Sequence, residues 1–240
     1  MNPRTDFSET SKRKAALEAA KHVKDGFIVG LGSGSTAAYA IENLGQRIRN
    51  ERLRISAVPT SFQAFLLAAK YGIAVTTLEE HPVVNVTIDG ADQIDPKLNL
   101  IKGMGGALAR EKIVASASQQ NIIIADETKK VGALGENNHP IPVEVLPFAH
   151  SIVKRRIEAM GGMPSIREGK GKVGPIITDN GNMILDVSFG VISDAMKLEK
   201  NLKMIPGVVE NGLFLDLTDI AYIGTNSSVE KINRNSCRIR

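Results

Sequence analysis

Residues 88–95 read IDGADQID, which sets carboxylates at Asp89, Asp92 and Asp95, three residues apart, around a Gly-Ala pair. Carboxylates so closely spaced serve metal ligation, proton transfer or the binding of hydroxyl groups, or they are solvated in a polar turn. Calcium loops of the EF type need oxygen ligands at alternate positions and a closing Glu, which a spacing of three does not match. No His or Cys lies nearby to complete a transition-metal site. His22, His81, His139 and His150 are scattered along the chain and read as structural or surface residues. No metal is therefore expected, and proton carriers or hydroxyl acceptors remain. Asp95 precedes Pro96 and reads as a turn residue.

Residues 30–36, GLGSGST, follow an apolar run and open a helical pattern. Glycine permits a tight turn and close backbone approach, while Ser33, Ser35 and Thr36 add hydroxyl donors. The free N–H groups and positive dipole end of the helix favour an anion there, most naturally a phosphate. A plain Gly-rich turn is the other reading. A dinucleotide fingerprint would need glycine at position 35, which is Ser35, and an acidic end to the next strand, which closes instead in SAVPTS. No Gly-Lys pair follows, so the Walker pattern fails too. The loop suits a small phosphate ester.

Residues 102–112, KGMGGALAREK, place Lys102 before three glycines within four positions, and Glu111 in the first turns of the next helix. A Gly-rich nest leading into a helix again attracts an anion. Glu111 is either a helix-start carboxylate favoured by the dipole or, beside a phosphate cradle and an Asp pair, a candidate base. ADETKK, residues 125–130, puts Asp126 and Lys129 at one more strand end.

These loops need a frame. The chain has 240 residues with 42% apolar and 23% charged side chains, enough for one large α/β domain or one domain with a smaller one attached. The net charge of +4 is mild, and part of it sits in the last ten residues, KINRNSCRIR, which read as a solvated tail. There is no aromatic-interleaved basic stripe, zinc-finger spacing or helix-turn-helix signal, so no nucleic-acid partner is expected. One cysteine, Cys237, cannot form an internal disulfide, and the N-terminal region lacks an apolar signal core. No apolar run reaches the roughly 18 residues of a membrane helix. A cytoplasmic protein with no membrane partner is expected.

Helix and strand patterns alternate. A helix over SETSKRKAALEAAKHVKDG, capped by Ser8 or Thr10 and closed by Gly26, precedes the strand FIVGLG. STAAYAIENLGQRI is helical, LRISAVP a strand, SFQAFLLAAKYG a helix stopped at Gly72, and VVNVTID a strand. ALAREKIVASASQQ is helical and NIIIAD a buried strand. This rhythm predicts an open, mostly parallel, Rossmann-like sheet with helices on both faces. Near residue 135 the texture changes. Strand, helix, two strands near MPSIRE and GPIITD, a third at NMILDVSF after a DNGN turn, and a capped helix predict a small α+β, ferredoxin-like unit. The expected division is 1–135 plus 207–240 for the larger domain and 136–206 for a lid or oligomerisation domain.

Taken together, GLGSGSTA, DGADQID, KGMGGALAREKI, IADETKKVGALG, PIPVEVLP and TDNGNMILDV resemble the ribose-5-phosphate isomerase family of the A type, in order and over nearly the whole chain, from SKRKAA to YIGT. The resemblance implies interconversion of D-ribose 5-phosphate and D-ribulose 5-phosphate in the pentose phosphate pathway, through an enediolate, without a cofactor or metal. It implies substrate contacts at Ser33, Gly34, Ser35, Thr36, Asp89, Gly90, Ala91, Asp92, Lys102, Gly103, Met104, Gly105 and Lys129. Glu111 matches the family's proton acceptor, and Lys12 a lysine near the phosphate. The family usually reads D-G-A-D-E, where this chain has Gln93, and Met104 stands in place of a common glycine. Members form dimers or tetramers, so a homodimer or homotetramer is expected.

The chemistry assigns the roles. Moving a proton between C2 and C1 needs a positioned base, Glu111. The enediolate needs a cation and N–H donors, which Lys102 and its glycines supply. Asp89 carries protons between hydroxyl oxygens, and Asp92 orients hydroxyls. A non-catalytic sugar-phosphate sensor of related fold is the rival, and it would be expected to carry a DNA-binding module.

Overall fold

The computed structural model describes residues 3–171 and 173–234. Cys237 and most of the basic tail lie outside them. In chain order the elements are α1 (Pro3–Ala20), β1 (Ile28–Leu31), α2 (Ser35–Glu51), β2 (Ser56–Pro59), α3 (Phe62–Tyr71), β3 (Ala74–Val75), β4 (Val84–Asp89), β5 (Gln93–Ile94), β6 (Leu100–Ile101) and α4 (Leu108–Ser116). Then follow β7 (Ser118–Asp126), β8 (Ile141–Val145), α5 (His150–Ala159), β9 (Met163–Ile166), β10 (Met183–Ser188), α6 (Ala195–Lys203), β11 (Val208–Asn211), β12 (Leu213–Phe214), β13 (Ile220–Gly224) and β14 (Val229–Asn233). Two compact units divide them: Met1–Ala91, Arg110–Lys129 and Asp216–Arg240 make the first, and Asp92–Ala109 with Lys130–Leu215 the second.

The first unit is built on a seven-stranded sheet in the order β14-β13-β7-β4-β1-β2-β3. All neighbours are parallel except the β13–β14 hairpin. From β1 the chain winds outward to β2 and β3, then returns to β4 on the other side. The β1–β4 boundary is thus a topological switch point, where open α/β sheets bind ligands beyond the carboxyl ends of the strands. The run of isoleucines in β7 is buried, as strands covered on both faces require. On one face Ala15, Ala16 and Ala19 of α1, and Ala40, Ile41 and Leu44 of α2, pack on Val29, Leu31, Val86 and Ile88. Each fully buried Ile or Leu contributes about 1.5–3 kcal/mol, and the small alanines let the helices approach closely. Val58, Val84 and Val114 form a second cluster that includes α4.

The second unit holds the β8-α5-β9-β10-α6-β11 module, whose antiparallel sheet runs β11-β8-β10-β9. This is the ferredoxin-like order. Val143, Val145, Leu185 and Val187 of the sheet pack on Val153 and Ile157 of α5 and Leu202 of α6. A three-stranded sheet, β12-β6-β5, completes the unit. Residues 92–109 therefore cluster with 130–215 rather than with the larger sheet.

Several local expectations are corrected. Helix α1 begins at Pro3, so Ser8 and Thr10 lie inside it, and it ends at Ala20, before Gly26. Arg47 caps that end by donating to the Ala20 and Val23 carbonyls at 2.7 and 2.9 Å. Helix α4 stops at Ser116 because Ser118 already pairs with Val84 in the sheet. Pro175 and Ile177 make only isolated bridges where GPIITD suggested a strand. In the basic tail, Lys231–Asn233 belong to β14 and pair with β13.

Candidate functional site

In the first unit the cradle residues follow β1 and the first aspartate ends β4, so they meet at the switch point. The Ser33 N–H donates to Asp89 Oδ1 at 3.1 Å, and the Gly90 N–H donates to the same oxygen at 2.7 Å. Gly32 permits this approach: a Cβ there would sit 2.1 Å from Asp89 Oδ1. Asp89 itself is only 4% exposed. A buried carboxylate is sustained by such charge-assisted bonds.

The Ser33 hydroxyl is turned onto the end of β2, 2.9 Å from Thr60 Oγ1 and 2.6 Å from Ser61 Oγ. Ser61 in turn caps α3 by accepting from the Ala64 N–H at 3.1 Å. The Gly34 N–H donates to Gln63 Oε1 at 2.7 Å. Ser33 and Gly34 are therefore scaffold for the loop in this structure. Helix α2 opens at Ser35 with Gly34 as N-cap and no side-chain cap. Among the described residues, the hydroxyls of exposed Ser35 and half-buried Thr36 have no hydrogen-bond partner. Unclaimed donors at a helix N-terminus are the arrangement that binds a phosphate.

Lys12 pairs with Glu9 at 2.9 Å. The other Glu9 oxygen accepts from the Tyr39 hydroxyl, and Tyr39 stands one helical turn after Ser35. The hydrogen bonds from Tyr39 and then Lys12 hold the Glu9 carboxyl below the usual range, and Glu9 pushes the Tyr39 phenol up. Lys12 is thereby linked to the first turns of α2. Lys129 is half-buried in a short 3₁₀ turn, Glu127–Lys129, after β7. Asp126 is committed to that turn, accepting from the Thr128 N–H at 3.0 Å and from the Ser8 hydroxyl at 3.3 Å. Glu111 lies in the first turn of α4 and is 5% exposed.

In the second unit Asp92 Oδ2 accepts from the Met104 N–H at 3.0 Å. Its Oδ1 has no partner among the described residues. Asp95 is the turn residue its Pro96 neighbour suggested. It accepts from the N–H groups of Lys97 and Asn99, both at 2.8 Å. The Lys102 side chain is 4% exposed, with its ammonium 5.4 Å from the centre of the Phe214 ring. Gly103 has φ of +105°, a conformation that favours glycine, and leads into exposed Met104 and Gly105.

Gln93, the departure from the family's carboxylate, is buried and uses both ends of its amide. It donates to the Glu136 carbonyl at 2.9 Å and accepts from the Gly135 N–H at 2.8 Å. An ionised carboxylate could make only the second bond. Thr60, Ser61, Gln63, Tyr39 and Arg167 lie outside the sequence motifs of the resemblance described above. The hydroxyl pair after β2 was findable, since it too ends a strand beside β1. Arg167 had no local signal. His22 Nε2 lies 2.8 Å from the Tyr222 hydroxyl, and His150 Nδ1 lies 3.1 Å from the Pro147 carbonyl.

Among the described residues no group of three or more His, Cys, Asp or Glu could hold a metal ion. No described helix is long and apolar enough to cross a membrane.

Comparison with known proteins follows the same lines. Residues 56–228 match the family described as ribose 5-phosphate isomerase A (phosphoriboisomerase A). The ribose-5-phosphate isomerase A of Methanothermobacter thermautotrophicus is 51% identical over 219 residues, 91% of this chain and 96% of the relative. The solved structure of ribose 5-phosphate isomerase A from Methanocaldococcus jannaschii matches with a TM-score of 0.90 at 49% identity, covering 94% of this chain and 99% of that one. A D-ribose-5-phosphate isomerase solved in complex with phospho-erythronic acid matches with a TM-score of 0.92 at 42% identity, covering 98% and 100%. With a loop of unclaimed donors at the switch point of its sheet and this likeness along its length, the chain belongs to the ribose 5-phosphate isomerase A family.

Proposed function

We propose that this chain is a ribose-5-phosphate isomerase, interconverting D-ribose 5-phosphate and D-ribulose 5-phosphate by proton transfer through an enediolate. The carrying observation is near-half identity across almost the full length of isomerases of this type. The relative solved with phospho-erythronic acid supports a sugar-phosphate ligand.

The residue roles rest on the family resemblance together with the chemistry. Ser35 and Thr36, at the start of α2, hold the phosphate, with Lys12 and Lys129 adding positive charge. Anchoring that end makes proton transfer at the other effectively intramolecular. Glu111 takes the carbon proton as general base. Lys102 and the N–H groups of Gly103 and Gly105 stabilise the negative oxygen of the enediolate. Asp89 moves protons between hydroxyl oxygens, and the open Oδ1 of Asp92 supports its role in orienting a hydroxyl. Gly90 and Ala91 complete the contacts. No cofactor enters this scheme.

The exposed apolar side chains Phe148, Ile152, Met163 and Met196 of the second unit support its use in a homodimer or homotetramer. The single cysteine supports a reducing, cytoplasmic setting.

The test is to mix the purified chain with ribose 5-phosphate, with and without a chelator, and follow ribulose 5-phosphate. Conversion that survives the chelator is expected. Binding without conversion would favour a sugar-phosphate sensor, and neither would mean a different phosphate ester.

A further inference from the structure

Beside the glycine loop of the second unit lies a cation to which the roles above give no part. Arg167 follows β9 and is 8% exposed. Its Nε donates to Asp186 Oδ2 of β10 at 2.8 Å, and its Nη2 donates to Asp186 Oδ1. This is the two-point pairing a guanidinium makes with a carboxylate. Its Nη1 donates to two successive carbonyls, Gly103 at 2.8 Å and Met104 at 3.0 Å. The Met104 sulfur lies 3.8 Å from Nη2.

A trans peptide fixes the direction of the next N–H once its carbonyl is held, because the two point in opposite directions across one plane. Holding the Gly103 carbonyl aims the Met104 N–H away from Arg167, where it meets Asp92 Oδ2. Holding the Met104 carbonyl aims the Gly105 N–H away in the same manner. That N–H has no partner among the described residues, and Gly105 is exposed. One buried guanidinium thus orients a donor that steadies Asp92 and a donor left available to ligand.

We propose that Arg167, fixed by Asp186, is a positioning residue for the isomerase reaction. It aims the Gly105 N–H at the developing enediolate oxygen and, through Met104, sets Asp92. The assignment rests on the isomerase reading of the glycine loop. It also gives the β9–β10 strands a part in chemistry, because they supply both members of the clamp. A lysine would not replace Arg167, since a point ammonium does not hold a carboxylate at two points and two carbonyls together.

The experiment compares wild type with Arg167→Ala, with and without millimolar guanidinium ion. It measures kcat and KM for ribose 5-phosphate, and binding of phospho-erythronic acid and of inorganic phosphate. The acid carries a planar carboxylate that mimics the enediolate end, whereas inorganic phosphate reports the α2 cradle alone. Arg167→Ala should lose about 10²-fold in kcat/KM, mainly in kcat, as when one oriented oxyanion donor is removed. Phospho-erythronic acid should weaken, inorganic phosphate should not, and guanidinium ion should restore much of the loss. If the alanine variant does not fold, Arg167→Lys carries the same readouts and should show the same split. Near-wild-type kcat/KM would overturn the assignment. So would a loss that guanidinium leaves untouched and that weakens inorganic phosphate as much as the acid. A wild-type chain that bound phospho-erythronic acid yet converted no ribose 5-phosphate would unseat the isomerase reading instead, and Arg167 would still be judged by the affinity of that acid.

Discussion

The Ser33 N–H donates to Asp89 Oδ1 across the β1–β4 switch point, at 3.1 Å. This bond ties the β1–α2 loop, the proposed phosphate cradle, to the carboxylate proposed to carry protons between hydroxyl oxygens. A single side chain is therefore a strut for the loop and, in the role proposed above, a proton carrier, and the two duties are separable by substitution.

Asp89→Asn keeps an oxygen that can accept from Ser33 and Gly90 but removes the basic carboxylate. Turnover should fall by about 10²-fold, within the range for a lost proton-transfer group, while KM changes little. Asp89→Ala removes the strut as well, so its KM should also rise. Steady-state kinetics of both variants on ribose 5-phosphate check this. Equal KM values in the two variants would contradict the strut.

Glu111→Gln changes one atom on a buried side chain and should leave the fold intact. As the assigned general base, Glu111 should contribute at least about 10²-fold to turnover. Exchange of the substrate C2 proton with deuterated solvent should fall in parallel, because both need the same proton abstraction. Near-normal turnover in this variant would remove Glu111 from the role.

The phosphate cradle predicts the opposite kinetic pattern. Ser35→Ala and Thr36→Val each delete one hydroxyl donor to a charged ligand, a bond worth about 1.5–3 kcal/mol. Each should raise KM by about tenfold or more, with a smaller change in kcat. Inorganic phosphate should weaken as an inhibitor to match. A loss confined to kcat, with phosphate binding unchanged, would contradict the cradle.

The α/β frame and the glycine-hydroxyl loop that opens α2 were legible because both depend on local signals. Apolar runs such as NIIIAD mark buried strands, and glycine with hydroxyl residues after a strand marks an anion loop. Ser33 shows the limit. Its residue type suggested a ligand contact, but Thr60 and Ser61, nearly 30 positions away, claim its hydroxyl. Gln93 and Arg167 were illegible for the same reason, since their partners at 135–136 and 103–104 are distant in sequence. Helix ends failed where tertiary pairing overrode propensity. Residues 117–120 carry a helical pattern, yet Ser118 joins the sheet opposite Val84 and its hydroxyl bonds Thr87 at 2.6 Å. No composition shift near 92 or 109 announced that this stretch groups with the second unit.

His22 gives a pH prediction outside the site. Burial is the main cause that holds its pKa below 6.5, and the nearby Lys231 adds to it, while Gln120 and Glu18 pull the other way. The folded protein therefore binds fewer protons than the unfolded chain between the depressed pKa and about 6.5. Stability from neutral His22 is fully present above that upper value and is lost as pH falls through the window. His22→Gln retains a polar partner for Tyr222 without a titrating ring. Thermal melts across pH 5 to 7.5 should show a shallower acid-side decline for the variant than for wild type. Parallel declines would assign the acid sensitivity to other groups and leave His22 a plain packing residue against Tyr222.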